Sequence, residues 1–257
     1  MRIAVCVKAV VDSQARIELD GDGNLRQEQL RYEVNEYDLY AVEEAIRLAD
    51  GDEGEVTVIT LGKDGSVQGL RKGLAMGATD AIHIDCDPEE LDSGGVARLL
   101  AAALRDGGYD LVLAGVESVD LGGSQVGVLL AEELQYAATT LVVGTSAPAA
   151  GTMQVRRELE CGEHATVEIQ LPAVLTIQSG INEPRYPSLK GIMAAKRKEL
   201  AVKTPADLGF AELPARRVTM LGLAPPPARE LARMLEGSAE EMAVELVRIL
   251  RQEERAL

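Results

Sequence analysis

Asp110-Leu111-Val112-Leu113-Ala114-Gly115, running on as Val116-Glu117-Ser118-Val119-Asp120-Leu121-Gly122-Gly123-Ser124-Gln125-Val126-Gly127-Val128, is the stretch that decides the fold. Its apolar opening reads as a strand buried on both faces, as in parallel sheets. A glycine- and serine-rich loop follows, then a helical segment from about Gln125 to Leu134. Strand, loop and helix together make half of a β-α-β crossover.

The same rhythm extends outward in both directions. Ile3-Ala4-Val5-Cys6-Val7 is another buried strand. Asn35 suits an N-cap, Glu36 and Asp38 suit the positive end of a helix, and Leu39, Val42, Ala45, Ile46 and Ala49 recur at helical spacing until Asp50-Gly51. Val56 to Leu61 predicts a strand, Val67 to Ala75 a helix closed by Gly77, and Ala81 to Asp85 a strand. Ser93 is placed to cap a helix reaching about Leu104, and Leu141-Val142-Val143 is a further strand. Strands alternating with helices predict an α/β fold with a doubly wound parallel sheet.

Elsewhere the pattern changes. Arg16 to Leu19 and Asn24 to Arg26 predict a hairpin around Asp20-Gly21-Asp22-Gly23. Thr152 to Glu158, Ala165 to Leu171 and Ala173 to Gln178 read as successive strands without helices, an antiparallel extension of the sheet. A loop from Ser179 to Tyr186 leads to a short helix containing Ile192, Met193 and Ala195. Thr204 to Arg229 is proline-rich, with Pro225-Pro226-Pro227 as a stiff spacer. In the last helix Ser238 and Glu241 match a capping box, and Met242, Leu246, Ile249 and Leu250 form an apolar stripe. That stripe docks either on the parent domain or on another subunit.

The 257 residues are 46% hydrophobic and 26% charged, an ordinary globular balance. Lys and Arg number 26 against 42 Asp and Glu, a net charge of -16. Such a surface repels phosphate backbones and anionic lipid, so neither nucleic acid nor a membrane surface is an expected partner. No apolar run reaches the ~18 residues of a membrane span. The N-terminus is too short and too charged for a signal peptide, and Cys6, Cys86 and Cys161 are dispersed. Both features point to a reducing, cytoplasmic setting. His83 and His164 are isolated, which leaves no zinc-ligand spacing and no metal site to expect.

Open parallel sheets bind ligands beyond the carboxyl ends of their strands. The loops at issue are Lys8 to Asp12, the Asn35 region, Leu61 to Gly65 and Gly115 to Gly127. In the last, Ser124 is placed to cap the helix, and glycines let the backbone approach a ligand. This reads as a phosphate cradle or as an ordinary β-α turn. Neither a dinucleotide fingerprint nor a P-loop motif occurs. A second unusual segment is Asn182-Glu183-Pro184-Arg185-Tyr186-Pro187-Ser188-Leu189 with Lys190, Lys196, Arg197 and Lys198. An apolar residue in a basic rim has the anatomy of a docking site, although a solvated helix face has the same composition.

These residues carry a resemblance. Asn182-Glu183-Pro184-Arg185-Tyr186 followed by Leu189, Ile192-Met193, Ala195 and Lys196 resembles the signature of the electron transfer flavoprotein β subunits. Ala41-Val42-Glu43-Glu44-Ala45, Leu74-Ala75-Met76-Gly77-Ala78 and Asp110 to Gly115 match in order, and the likeness covers about residues 1–203. It implies a Rossmann-like domain of the adenine-nucleotide-binding type over residues 1–203. It implies an arm and helix over 204–257 packing on a larger α subunit. FAD would be held mainly by that subunit and AMP by this one, with a second FAD in place of AMP in the electron-bifurcating members that oxidise NADH. The implied nucleotide contacts are Cys6, Asn35, Asp38, Leu61, Asp120, Ser124, Gln125, Val126, Gly127 and Val128. Partner docking falls to Leu189, Ile192, Met193 and Glu158. Electrons would come from acyl-CoA or other dehydrogenases and leave to a quinone oxidoreductase, ferredoxin or flavodoxin. The chain would be an electron carrier subunit with no catalytic residue of its own. The rival readings are an ATP-using enzyme of a related fold, for which Lys8, Lys63 and Asp120 are available, and a stand-alone nucleotide sensor.

Overall fold

The computed structural model describes residues 1–21, 23–26, 30–50, 54–227 and 232–256. In chain order the strands are β1 (Arg2–Cys6), β2 (Ala9–Val11), β3 (Tyr32–Val34), β4 (Glu55–Gly62), β5 (Asp80–Asp85), β6 (Leu111–Gly115), β7 (Ala137–Thr145), β8 (Thr152–Glu158), β9 (His164–Gln170), β10 (Ala173–Ile177) and β11 (Ala201–Lys203). The α-helices are α1 (Glu36–Ala49), α2 (Val67–Met76), α3 (Ser93–Leu104), α4 (Val126–Leu134), α5 (Leu189–Arg197) and α6 (Ala239–Gln252).

Nine strands form one sheet in the order β11-β5-β4-β1-β6-β10-β7-β8-β9. From β11 to β7 every neighbouring pair is parallel, and β8 and β9 add the antiparallel edge. Strand periodicity splits the core into two layers. Ile3 and Val5 of β1 face a cluster with Ala41, Val42 and Ala45 of α1, Leu70 and Leu74 of α2, and Ala195 of α5. Ala4 and Cys6 face the other cluster, with Leu99, Leu100 and Leu104 of α3 and Leu130 of α4. Each buried Val, Leu or Ile side chain among them contributes about 1.5–3 kcal/mol relative to exposure. The sheet is therefore doubly wound, as the alternating pattern predicts.

One strand departs from expectation. Ala173–Ile177 is not part of the antiparallel extension; β10 runs parallel between β6 and β7. Its five residues are buried without interruption, whereas β9 alternates toward solvent. That run is the mark of a central parallel strand. At α3 the cap is Asp92 rather than Ser93, because the Asp92 carboxylate accepts from the Gly95 amide at 2.9 Å. The predicted hairpin reduces to a single bridge between Leu19 and Leu25. β2, β3 and β11 were not anticipated; each is three residues long. Asp22, Gly51 and Arg229, to which the turn, helix-stop and linker expectations extend, lie outside the described residues.

The chain divides into Met1–Leu221 and Gly222–Leu257. The second unit holds α6, opened by the predicted capping box of Ser238 and Glu241. On α6, Glu245 pairs with Arg248 at 2.8 Å, and Val244, Leu246 and Val247 are exposed.

Candidate functional site

β4 and β5 lie on one side of β1 and β6 on the other, so winding reverses between β1 and β6. In open α/β sheets ligands bind at that reversal, beyond the carboxyl ends of the strands. Asp38, in the first turn of α1, sits there and is only 5% exposed. Its Oδ2 accepts from the Lys8 amide at 2.8 Å and its Oδ1 from the Gly115 amide at 3.0 Å. One carboxylate thus brackets the loops leaving β1 and β6. Burial pushes the Asp38 carboxyl up to about 7, against the pull of the Lys8, Asn35 and Gly115 hydrogen bonds and the Lys8 charge. Gly115 is required by this packing: a Cβ there would lie 2.4 Å from Asp38 Oδ1.

Asn35 completes the bracket. It stands at the N-cap position of α1 but makes no side-chain cap bond. Its Nδ2 instead donates to the Glu117 carbonyl at 2.8 Å, and its Oδ1 accepts from the Val119 amide at 3.2 Å. The Lys8 ammonium lies 2.8 Å from both Asp120 oxygens and 3.2 Å from Ser118 Oγ. Lys8, Asn35, Asp38 and Asp120 are therefore one constellation that shapes the Gly115–Gln125 loop.

Ser124 does not cap α4. It has a positive φ of 49°, and its hydroxyl donates to Glu117 Oε2 at 2.9 Å. Gln125 occupies the cap position with no side-chain cap bond, and among the described residues no side-chain bond to the first amides of α4 occurs. Those amides belong to Val126, Gly127 and Val128, three of the expected nucleotide residues. Gly127 packs on Thr176, whose Cγ2 would lie 2.4 Å from an added Cβ. At Gly123 an added Cβ meets nothing within 4 Å. An uncapped helix start behind an open glycine loop has the donor set for a phosphate. The Asp120 carboxylate beside it is neutralised by Lys8, so a nucleotide phosphate fits the residues present.

Two further expected contacts come from other strands, Cys6 from β1 and Leu61 from β4. Cys6 lies in the core between β4 and β6, and burial, then the Asp38 charge, pushes its thiol up to about 12. It offers a neutral apolar surface and no thiolate. Leu61 is half-buried near the end of β4, where Thr60 Oγ1 donates to the Val7 carbonyl at 2.7 Å.

The Asn182–Tyr186 signature is a fastening of its loop to α1. The Arg185 guanidinium grips Glu43 at 2.7 and 2.9 Å, and its amide donates to the same carboxylate at 3.1 Å. Burial alone raises the Glu43 carboxyl, but the Arg185 bonds and charge outweigh it and leave the group below its ordinary value. Asn182 donates to Glu44 at 2.9 Å and to the Tyr40 carbonyl at 3.1 Å, and Thr145 donates to Glu44 as well. Glu43 and Glu44 entered the sequence reading only within the matching Ala41–Ala45 stretch and were given no role in the site. The available signal was two carboxylates beside Val42 and Ala45 in the apolar stripe of α1.

Beyond this fastening, Ser188 caps α5 by accepting from the Gly191 amide at 3.0 Å. α5 seats on α2, and a Cβ at Gly191 would lie 2.5 Å from the Ala75 carbonyl oxygen. Tyr186, Leu189 and Met193 are exposed, Leu189 by 82%. An apolar groove of about 290 Å³ lies between Ala75, Pro187, Ile192 and Ala195, edged by Arg71, Lys72 and Lys196. Glu158 does not share this patch. It ends β8 and accepts from Gln178 Nε2 at 3.1 Å, beyond β10.

Residues 23–208 match the electron transfer flavoprotein domain family. The chain is 34% identical over 261 residues to the electron transfer flavoprotein subunit beta of Bacillus subtilis (strain 168), covering 100% of both chains. It is 35% identical over 247 residues to that of Syntrophomonas wolfei, covering 96% of this chain and 94% of the relative. It is 36% identical over 253 residues to that of Mycobacterium bovis, covering 93% of each. The chain belongs to the electron transfer flavoprotein β-subunit family. Among the described residues, no cluster of His, Cys, Asp or Glu suited to a metal occurs, and no helix is long and apolar enough to cross a membrane. The winding reversal lies between β1 and β6, whereas α5 packs on α2, the crossover between β4 and β5.

Proposed function

We propose that the chain is the β subunit of a heterodimeric electron transfer flavoprotein. In this reading its α subunit holds FAD, and this chain holds AMP at the winding reversal between β1 and β6. Electrons arrive from a dehydrogenase, such as an acyl-CoA dehydrogenase, docked at α5, and leave to a quinone oxidoreductase, ferredoxin or flavodoxin. The flavin supplies the redox chemistry when bound. This chain's residues bind and orient. The amides of Val126, Gly127 and Val128 meet phosphate, Lys8 neutralises Asp120, and Asn35 and Asp38 fix the loop. No general acid or base is needed, and the buried Cys6 thiol provides none. Residues 204–257 serve as the arm toward the α subunit.

The observation that carries the reading is the uncapped start of α4 behind the Gly115–Gln125 loop, held by the Lys8, Asn35 and Asp38 bracket. An ATP-using enzyme fits less well, because Lys8 is committed to Asp120. The test is nucleotide content. The full chain is purified with its α subunit and its nucleotides are released with acid. One FAD and one AMP per heterodimer are expected. Two FAD and no AMP would replace AMP with a second flavin in this chain and make NADH a candidate donor. A heterodimer without any nucleotide beyond the α-subunit FAD would overturn the pocket.

A further inference from the structure

His83 lies on β5 and is only 4% exposed, yet the site as described does not use it. Its Nε2 is 2.8 Å from the Gly62 carbonyl oxygen. A carbonyl only accepts, so this contact requires the proton on Nε2. Ser66 Oγ lies 3.4 Å from the same nitrogen. The Ser66 hydroxyl donates to the Lys63 carbonyl at 2.7 Å, and the Ser66 amide donates there too at 2.8 Å. The hydroxyl oxygen is then left as an acceptor facing the imidazole, which agrees with a shared Nε2 proton.

These bonds define the turn between β4 and α2. Gly62 ends β4, and a Cβ on it would lie 2.8 Å from the Ser66 Cβ. Glycine therefore lets Ser66 fold back over the carbonyl that His83 holds. On the other side of the turn, Thr60 Oγ1 reaches the Val7 carbonyl, one residue before the Lys8 amide that Asp38 brackets. Leu61 stands between the Thr60 and Gly62 anchors. The Leu61–Ser66 turn is thus fixed from beneath by β5 and from beside by β1.

We propose that His83 is a positioning residue of the nucleotide site, holding the Gly62 carbonyl so that Leu61 and the β4–α2 turn keep the shape that accepts an adenine nucleotide. This rests on the nucleotide reading given above. His83 acts through the turn and touches no reacting atom.

The experiment compares His83→Leu, which removes the donor at similar bulk, with His83→Gln, whose side-chain amide places a donor where Nε2 stood. AMP is titrated calorimetrically into the full chain purified with its α subunit and freed of bound nucleotide. Amide hydrogen exchange at Ser66 is followed without nucleotide. His83→Leu is expected to weaken AMP about tenfold, the scale of one hydrogen bond, and to speed exchange at Ser66. His83→Gln is expected to restore both. If His83→Leu does not fold, His83→Asn, whose amide is too short to reach Gly62, replaces it with the same expectation. Unchanged AMP affinity in a wild type that binds AMP, with both variants merely less heat-stable, overturns the proposal alone and leaves His83 as packing. A wild type that binds neither AMP nor FAD overturns it together with the reading beneath it.

Discussion

At the carboxyl edge of the sheet Asp38 is 5% exposed and ties two loops to one helix; on α5 Leu189 is 82% exposed and its side chain has no such tie. The first region is polar and braced. Asp38, Asn35 and Lys8 are each spent on another loop, and Gln125 leaves the start of α4 without a side-chain cap. The second is apolar and bare, and its bracing lies one step back, in the Arg185 grip on Glu43. The difference follows from the ligand each suits. A small anion needs donors fixed before it arrives, since reorganising them would cost binding energy. A protein partner needs exposed apolar anchors whose energy appears only on contact. Substitutions at the carboxyl edge should therefore damage the fold and the pocket together, whereas those on the α5 face should damage recognition alone.

The severest expected effect is Gly115→Ala. The new methyl would meet Asp38 Oδ1 at 2.4 Å and Tyr37 Cβ at 2.7 Å. Asp38 has no room to retreat without releasing the Lys8 or Gly115 amide. Overpacking together with a lost bond to a charged acceptor sums to about 3 kcal/mol. Urea denaturation should show the midpoint falling by the corresponding amount, and AMP binding should fall with it. A variant as stable as the parent would mean that the two loops are not bracketed through Asp38.

Arg185→Ala probes the bracing behind the bare face. Removing one partner of a fully buried pair costs about 3–5 kcal/mol, which a guanidinium 42% exposed reduces to about 2 kcal/mol. The pH dependence has a definite sign. Glu43 is held below its ordinary 4.5, so its contribution is present above that value and is lost as pH falls through the folded-state value. The stability gap between parent and Arg185→Ala should be full at neutral pH and shrink on acidification below about 4.5. A gap independent of pH would show that Arg185 acts by packing rather than by holding Glu43.

The comparison also explains what the sequence disclosed. Apolar runs such as Leu111 to Ala114, with helical spacing between them, carry their periodicity locally, so the doubly wound sheet was legible. β10 was placed at the wrong position because its neighbours, β6 and β7, are set by the chain's return after β9, which no local pattern encodes. In the site, Asn35, Asp38, Asp120 and the Gly122–Gly127 segment were identified, but their partnerships were not. Asp38 spans to Lys8 and Gly115 across 30 and 77 positions, and Asn35 spans to Glu117 across 82. Ser124 had the composition of a cap, yet Glu117 seven residues earlier takes its hydroxyl. Capping competes with any nearby acceptor, and which one wins is decided by loop geometry. The α5 face was readable because Leu189 stands among Lys190, Lys196 and Arg197 within one helix.

Leu189→Ala should change stability least of all. A side chain 82% exposed leaves no cavity when truncated, so the urea midpoint should move by no more than about 0.5 kcal/mol. The Ser188 cap and the Gly191 contact with Ala75, which seat α5, do not involve the Leu189 side chain. Recognition should respond differently. Truncating an apolar anchor at the centre of a docking patch costs about 1–2 kcal/mol of partner binding, roughly a tenfold fall in the second-order rate of flavin reduction by a dehydrogenase. Stopped-flow reduction of the heterodimer by a panel of acyl-CoA dehydrogenases measures that rate, and acid-released flavin and AMP measure the pocket in the same preparation. Slower reduction with unchanged nucleotide content places docking on α5 and keeps the two regions independent. Unchanged reduction moves docking off this face, and nucleotide loss from Leu189→Ala would show instead that the exposed helix and the buried bracket are mechanically coupled.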